Sequence, residues 1–119
     1  MNESSIQSHV RLNAAKKGWK LFRNNVGVLK DNRGVPVRFG LANDTKALNS
    51  IIKSGDLIGW RSVTITPDMI GTKIAQFVSI ECKRSGWSES SSDRDIAQKK
   101  WADLINEAGG YAVITSGEL

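Results

Sequence analysis

Apolar side chains recur every fourth position at the start of the chain, with Ile6, Val10 and Ala14 on one stripe that Glu3 and Gln7 prolong. This spacing predicts a helix over residues 3–17, stopped by Gly18. From Trp19 to Phe39 the pattern shortens to extended pieces, KLFRNN, VGVLKD and VPVRF, separated by the turn signals Asn24–Gly27 and Asp31–Gly34. A short helix is predicted over 43–54, then strands over 55–60 and 63–66, a turn at Pro67–Gly71 and a long strand from about Lys73 to Lys83. After the polar loop RSGWSESSSD comes the clearest helix of the chain. Ser92 and Asp95 resemble a capping box, Ala97, Trp101, Leu104, Ile105 and Ala108 form its apolar stripe, and Gly109-Gly110 ends it. Residues 111–115 (YAVIT) read as a buried closing strand. Helix, strands, helix and strand around one sheet predict an α/β fold, and 119 residues fit a single domain over 1–119.

The composition, 39% hydrophobic and 24% charged, is that of a globular chain and argues against wholesale disorder. Apolar runs are only a few residues long, and Met1 leads into the polar Asn2-Glu3-Ser4-Ser5, so the expectation is a cytoplasmic protein without a membrane partner. Cys82 is the only cysteine, which removes an intramolecular disulfide and a thiolate zinc cluster; a buried structural thiol is its expected role. His9 is the only histidine and sits in a basic helix, where a surface or packing role is expected instead of a Ser-His-Asp site. The net charge of +5 is uneven. Residues 1–40 carry eight basic side chains against two acids, while the remainder is close to neutral. That is the footprint of a phosphate-backbone binder, although an ordinary solvated basic face has the same composition.

The segment FVSIECKRSG (77–86) raises the chemical question. In an extended strand Phe77, Ser79, Glu81 and Lys83 share one face and Val78, Ile80 and Cys82 the other, so two charges point the same way. Buried and unpaired they would cost several kcal/mol, hence the face is either wet or supplied with partners. Asp56, just after a glycine, can bring a second carboxylate to Glu81 from an adjacent strand. A hard dication, Mg²⁺ or Mn²⁺, removes the repulsion between two such carboxylates, with the Cys82 backbone carbonyl completing the protein's share and Lys83 neutralising charge on a phosphate. The plainer reading is that Glu81 and Lys83 form cross-strand ion pairs and Asp56 caps a turn. Gln98, at the edge of its helix's apolar stripe, can look toward the strand's end, and Glu3 and Gln7 lie on the stripe of the first helix. For each of these, a helix-border or dipole role remains open.

Glu3 and Gln7, RNN-x-G (23–27), VRFGL (37–41), GDLIGW (55–60), ITPDMIGTKIAQFVSIECK (65–83), Gln98 and AGGYAVI (108–114) together resemble the virus-type replication-repair nuclease (VRR-NUC) family. That family is a branch of the PD-(D/E)xK nucleases whose stand-alone members are common in phages and prophages. The likeness runs from about residue 3 to 116, and the blocks DLIG, ITPDM and IE-x-K carry most of its specificity. It implies a restriction-endonuclease-like core, a central mixed sheet flanked by helices. It further implies Asp56 and Glu81 as carboxylate ligands of Mg²⁺ or Mn²⁺, Cys82 as a backbone ligand, Lys83 as the catalytic lysine, Glu3 as an auxiliary acid acting directly or through water, and Gln98 as a supporting residue. The signature proline is replaced by Gly55. The implied activity is structure-selective cutting of branched DNA by a homodimer resembling a Holliday-junction resolvase. A flap or single-strand nuclease of the same fold, or a non-catalytic DNA-binding protein, are the alternatives. Candidate phosphate contacts are Arg23, Lys30, Arg33, Arg38, Lys99 and Lys100, and Trp87 can either stack on an unpaired base or pack locally.

Overall fold

The computed structural model describes residues 2–119, which group into two compact units, the first running through Trp60 and the second Arg61–Leu119. Helices alternate with small sheets, an α/β composition without a barrel.

In the first unit, α1 (Glu3–Lys16) starts where the Asn2 side chain accepts a hydrogen bond from the Ser5 backbone N–H at 2.9 Å. It ends as the sequence predicts. Gly18 takes a positive φ of 79°, which lets the Trp19 N–H reach back to the Ala14 carbonyl (2.9 Å) and the Gly18 N–H to that of Ala15 (3.1 Å). Ala14 is the buried residue of the stripe, whereas Ile6 and Val10 remain more than 40% exposed. Strand β1 (Lys20–Arg23) pairs antiparallel with β4 (Leu57–Trp60), and β2 (Gly27–Lys30) forms a hairpin with β3 (Pro36–Phe39). The hairpin turn is built by Asp31, whose Oδ1 accepts the N–H groups of Arg33 (2.8 Å) and Val35 (2.9 Å). These bonds, that of Val35 first, hold the Asp31 carboxyl below its ordinary range. Helix α2 (Lys46–Ile51) is capped by Thr45 and is shorter than the predicted 43–54.

The centre of this unit is polar. Asn43, 2% exposed, donates to the carbonyls of Gly27 (2.9 Å) and Phe39 (2.8 Å) and receives Arg38 on its own carbonyl and amide oxygens. Its amide thus ties both strands of the hairpin to the segment that follows them.

In the second unit, β5 (Val78–Cys82) and β6 (Tyr111–Thr115) lie parallel, a pairing that needs a crossover, here supplied by α3 (Asp93–Glu107). Ser92 caps α3 through its hydroxyl, and Gly109, at φ 98°, closes it by letting Gly110 N–H bond the Ile105 carbonyl. Ile105 (1% exposed) and Ala112 (8%) are the buried apolar pair. Asn106 secures the sheet edge, donating to the Ala112 carbonyl (3.1 Å) and accepting its N–H (2.8 Å).

Three features differ from the sequence reading. The strands pair in three two-stranded ladders among the described residues, not around one sheet, because alternation assigns a side chain to a face but says nothing of which strand lies next to which. The long strand over 73–83 is regular only from Val78, since its partner begins at Tyr111, directly after Gly110, and offers nothing further back to pair with. Residues 63–66 form no strand; Val63 and Ile65 are exposed and the segment leads into a single 3₁₀ turn, Pro67–Met69.

Candidate functional site

Along β5 the odd-numbered side chains turn toward α3 and the even-numbered ones away, so Ser79 and Glu81 are half-buried while Val78 and Ile80 are exposed. Cys82 shares the open face: it is exposed, not the buried thiol that the alternation suggested, because α3 covers the side bearing the charges instead.

Partners explain why the charges are tolerated there. Gln98 reaches from α3 between them, its Nε2 donating to Glu81 Oε1 (2.9 Å) and its Oε1 accepting from Lys83 Nζ (2.5 Å). One amide thus serves a carboxylate and an ammonium at once, which only a group with both a donor and an acceptor can do. Lys83 Nζ also lies 3.3 Å from Asp95 Oδ1 and 5.3 Å from the centroid of the Trp87 ring. Trp87 therefore packs locally against the lysine. Asp95 Oδ2 accepts both the N–H (3.2 Å) and the hydroxyl (2.6 Å) of Ser90. A cavity of about 280 Å³ beside this cluster is lined by Glu81, Gln98, Arg94 and Trp101, whose indole N–H donates to Ser79 Oγ at 2.8 Å.

The sequence reading missed Asp95. It stood in the expected capping box, but only half of that box forms: Ser92 Oγ accepts the Asp95 N–H, while the Asp95 carboxylate turns to Ser90 and Lys83. The available signal was its spacing, since Asp95 and Gln98, three apart, share a helix face. The Ser90 hydroxyl, followed by Lys83, holds the Asp95 carboxyl below its ordinary value of 3.8 against the opposing effect of burial. A carboxyl depressed in the folded state stabilises the fold above its unfolded value and loses that contribution as pH falls through the lower folded value. The stability difference between wild type and Asp95→Asn should therefore be constant above about pH 5 and shrink below pH 3.8, as urea titrations across this range would reveal.

Asp56 lies in the first unit, immediately before β4, exposed and with no hydrogen bond to its carboxylate among the described residues. Asn24 shapes its turn, donating to Ser54 Oγ (2.7 Å) and to the Gly55 carbonyl (2.8 Å), while the Asn24 N–H bonds the Asp56 carbonyl (2.9 Å). Glu3 is exposed in the first turn of α1, Gln7 is half-buried and His9 exposed.

In the second unit Glu81 Oε1 is steadied by Gln98 and its other oxygen carries no hydrogen bond among the described residues, a hard oxygen donor of the kind a dication takes. No group of three or more His, Cys, Asp or Glu side chains among the described residues is arranged to hold a metal ion, so the side chains offer at most pairs of carboxylates.

The candidate phosphate contacts divide in two. Arg23, Lys30 and Lys100 are exposed, and their side chains make no hydrogen bond among the described residues. Arg38 is half-buried and engaged by Asn43, Arg33 pairs with Asp31 (3.1 Å), and Lys99 pairs with Asp103 (2.9 Å), a contact that raises the Lys99 pKa. No helix among the described residues is long and apolar enough to cross a membrane. Comparison with known proteins returns no matching family model, curated protein or solved structure.

Proposed function

We propose that this protein is a Mg²⁺- or Mn²⁺-dependent endodeoxyribonuclease of the VRR-NUC type, cutting branched DNA as a homodimer on a restriction-endonuclease-like core. The observation that carries the reading is the Glu81–Gln98–Lys83 array, in which a carboxylate and an ammonium from one strand are bridged by a glutamine from the following helix. The glutamine meets each charge with the half of its amide that suits it, and Lys83 takes its direct ion pair from Asp95 instead of Glu81.

In the second unit the residues that would hold the ion are Glu81 and the Cys82 carbonyl; Asp56 and Glu3, in the first unit, are the donors that the family resemblance adds. When bound, the dication polarises the phosphoryl oxygen and lowers the pKa of water beside it. Lys83 brings its ammonium to the phosphate, where negative charge grows as water adds to phosphorus and an ester oxygen departs. Gln98 keeps Glu81 and Lys83 from closing into a direct pair, leaving one carboxylate oxygen for the ion. A chain with one such site cuts two strands symmetrically only as a dimer, hence the homodimer and the four-way junction.

The basic surface contributes affinity. The three candidate contacts without side-chain partners give six in a dimer, and with each neutralising one phosphate the logarithm of the DNA-binding constant should fall with that of salt at a slope of about −5. Binding followed by fluorescence anisotropy in EDTA checks this, and a flat response removes the basic footprint from the argument. The choice of substrate is tested by end-labelled four-way junction, 5′ flap, single strand and linear duplex, each with Mg²⁺, Mn²⁺ or EDTA. Paired symmetrical nicks in the junction support the resolvase reading. Cuts confined to flap or single strand move the assignment to that activity, and binding without cutting leaves a DNA-binding protein.

A further inference from the structure

Lysine is a poor choice for a fixed charge. Its ammonium rides on four rotatable bonds, and the rotamer freedom lost opposes holding it in one place. At Lys83 three groups from different parts of the second unit converge on that ammonium: Gln98 Oε1 at 2.5 Å, Asp95 Oδ1 at 3.3 Å and the Trp87 ring at 5.3 Å. The nuclease reading accounts for Gln98 alone.

Asp95 is placed for more than helix capping. The cap is already made by the Ser92 hydroxyl, and Asp93 supplies an exposed first-turn acid for the helix dipole. The Asp95 side chain is only 9% exposed and that of Lys83 12%, so the pair lies out of bulk solvent, where such a contact is least screened. Its second oxygen is filled by Ser90 N–H and O–H, which sets the carboxylate plane and aims Oδ1 at the lysine. The same bonds draw the loop carrying Trp87 toward Lys83. End of strand, loop and first turn of α3 are thereby joined through one carboxylate.

We propose that Asp95 is a positioning residue that fixes the Lys83 ammonium, with Trp87 as a wall behind it. The role rests on the nuclease reading; the clamp itself does not. A dication held by Glu81, two residues from Lys83, would repel the ammonium, and Asp95 supplies the counter-charge that keeps it in place when that ion and a phosphate arrive. Preorganisation of this kind appears in the chemical step and not in substrate affinity, because Asp95 acts through Lys83, its carboxylate being taken up by Lys83 and Ser90.

The test reads Lys83 directly. With ¹³C,¹⁵N-labelled lysine and metal-free protein, side-chain relaxation at Lys83 Cε, assigned by its disappearance in Lys83→Ala, should report a rigid group in wild type and one as mobile as Lys100 in Asp95→Asn and Asp95→Ala. Asp95→Asn keeps an acceptor for the Ser90 N–H, so the fold is retained. On DNA, single-turnover cleavage by Asp95→Asn should fall about tenfold with KM within twofold of wild type, and Asp95→Glu should restore part of the rate. A Lys83 side chain that stays rigid in both variants overturns the proposal, as does a cleavage rate unchanged by a loosened lysine. If wild-type protein cuts no DNA while the variants loosen Lys83, the nuclease reading fails and the clamp stands.

Discussion

Lys83→Ala is expected to reduce metal-dependent DNA cleavage by about a thousandfold while shifting the melting temperature by no more than a few degrees. The size follows from removing one preorganised charge from a site where negative charge develops, which costs on the order of 3–4 kcal/mol of transition-state stabilisation. The stability side follows from geometry. Without the ammonium, Gln98 still donates to Glu81 and Asp95 still accepts two bonds from Ser90; Gln98 Oε1 and Asp95 Oδ1 lose their lysine donor, and neither residue is fully buried, so water takes its place. Asp56→Asn should behave alike, because that exposed carboxylate makes no hydrogen bond among the described residues. Rates measured beside thermal melts separate the two effects. A variant that melts far below wild type would return Glu81 and Lys83 to the plainer role of structural ion-pair partners.

Asn43→Ala should cost about 3 kcal/mol of stability, the largest loss we expect from one polar truncation in this chain. The deleted amide removes the Asn43 donor from the carbonyls of Gly27 and Phe39 and the acceptor of Arg38 Nη2, in a place only 2% open to water, while Arg38 Nε keeps the backbone carbonyl of residue 43. For a chain of this length the loss corresponds to roughly 10 °C in melting temperature. Asn43→Asp should be nearly as damaging despite its matching shape, since a carboxylate can receive Arg38 but can donate to neither carbonyl. Urea denaturation of the two variants checks this, and a loss below about 1 kcal/mol for both would mean that water replaces the amide.

What the sequence made legible is local. A period of four with Gly18 and Gly109 behind it located α1 and α3, because the glycine stop and the apolar stripe are decided within a few residues. Strand alternation placed Glu81 and Lys83 on one face, and the same rule put Cys82 on the other. Which of those faces a helix would cover is decided by the course of the chain after residue 83, and there the expectation for Cys82 was reversed. The extent of β5 depended on how many residues β6 offers thirty positions later. Asn43 carried no local signal: it fell at the edge of a predicted helix, while its partners come from two strands of a hairpin. Asp95 was visible but assigned to the cap, a role that its backbone N–H fulfils while its carboxylate serves Lys83.

The measurement that bears most directly on the central claim is the cleavage of a labelled four-way junction by the wild-type chain in Mn²⁺ and in EDTA, with Glu81→Gln assayed alongside. That substitution preserves the shape at Gln98 but removes the charge that would hold the ion. Paired nicks formed in Mn²⁺, absent in EDTA and absent with Glu81→Gln, are the predicted result. Intact junction in both metal and chelator, or cutting that persists in the variant, would contradict the assignment of phosphodiester hydrolysis to Glu81 and Lys83.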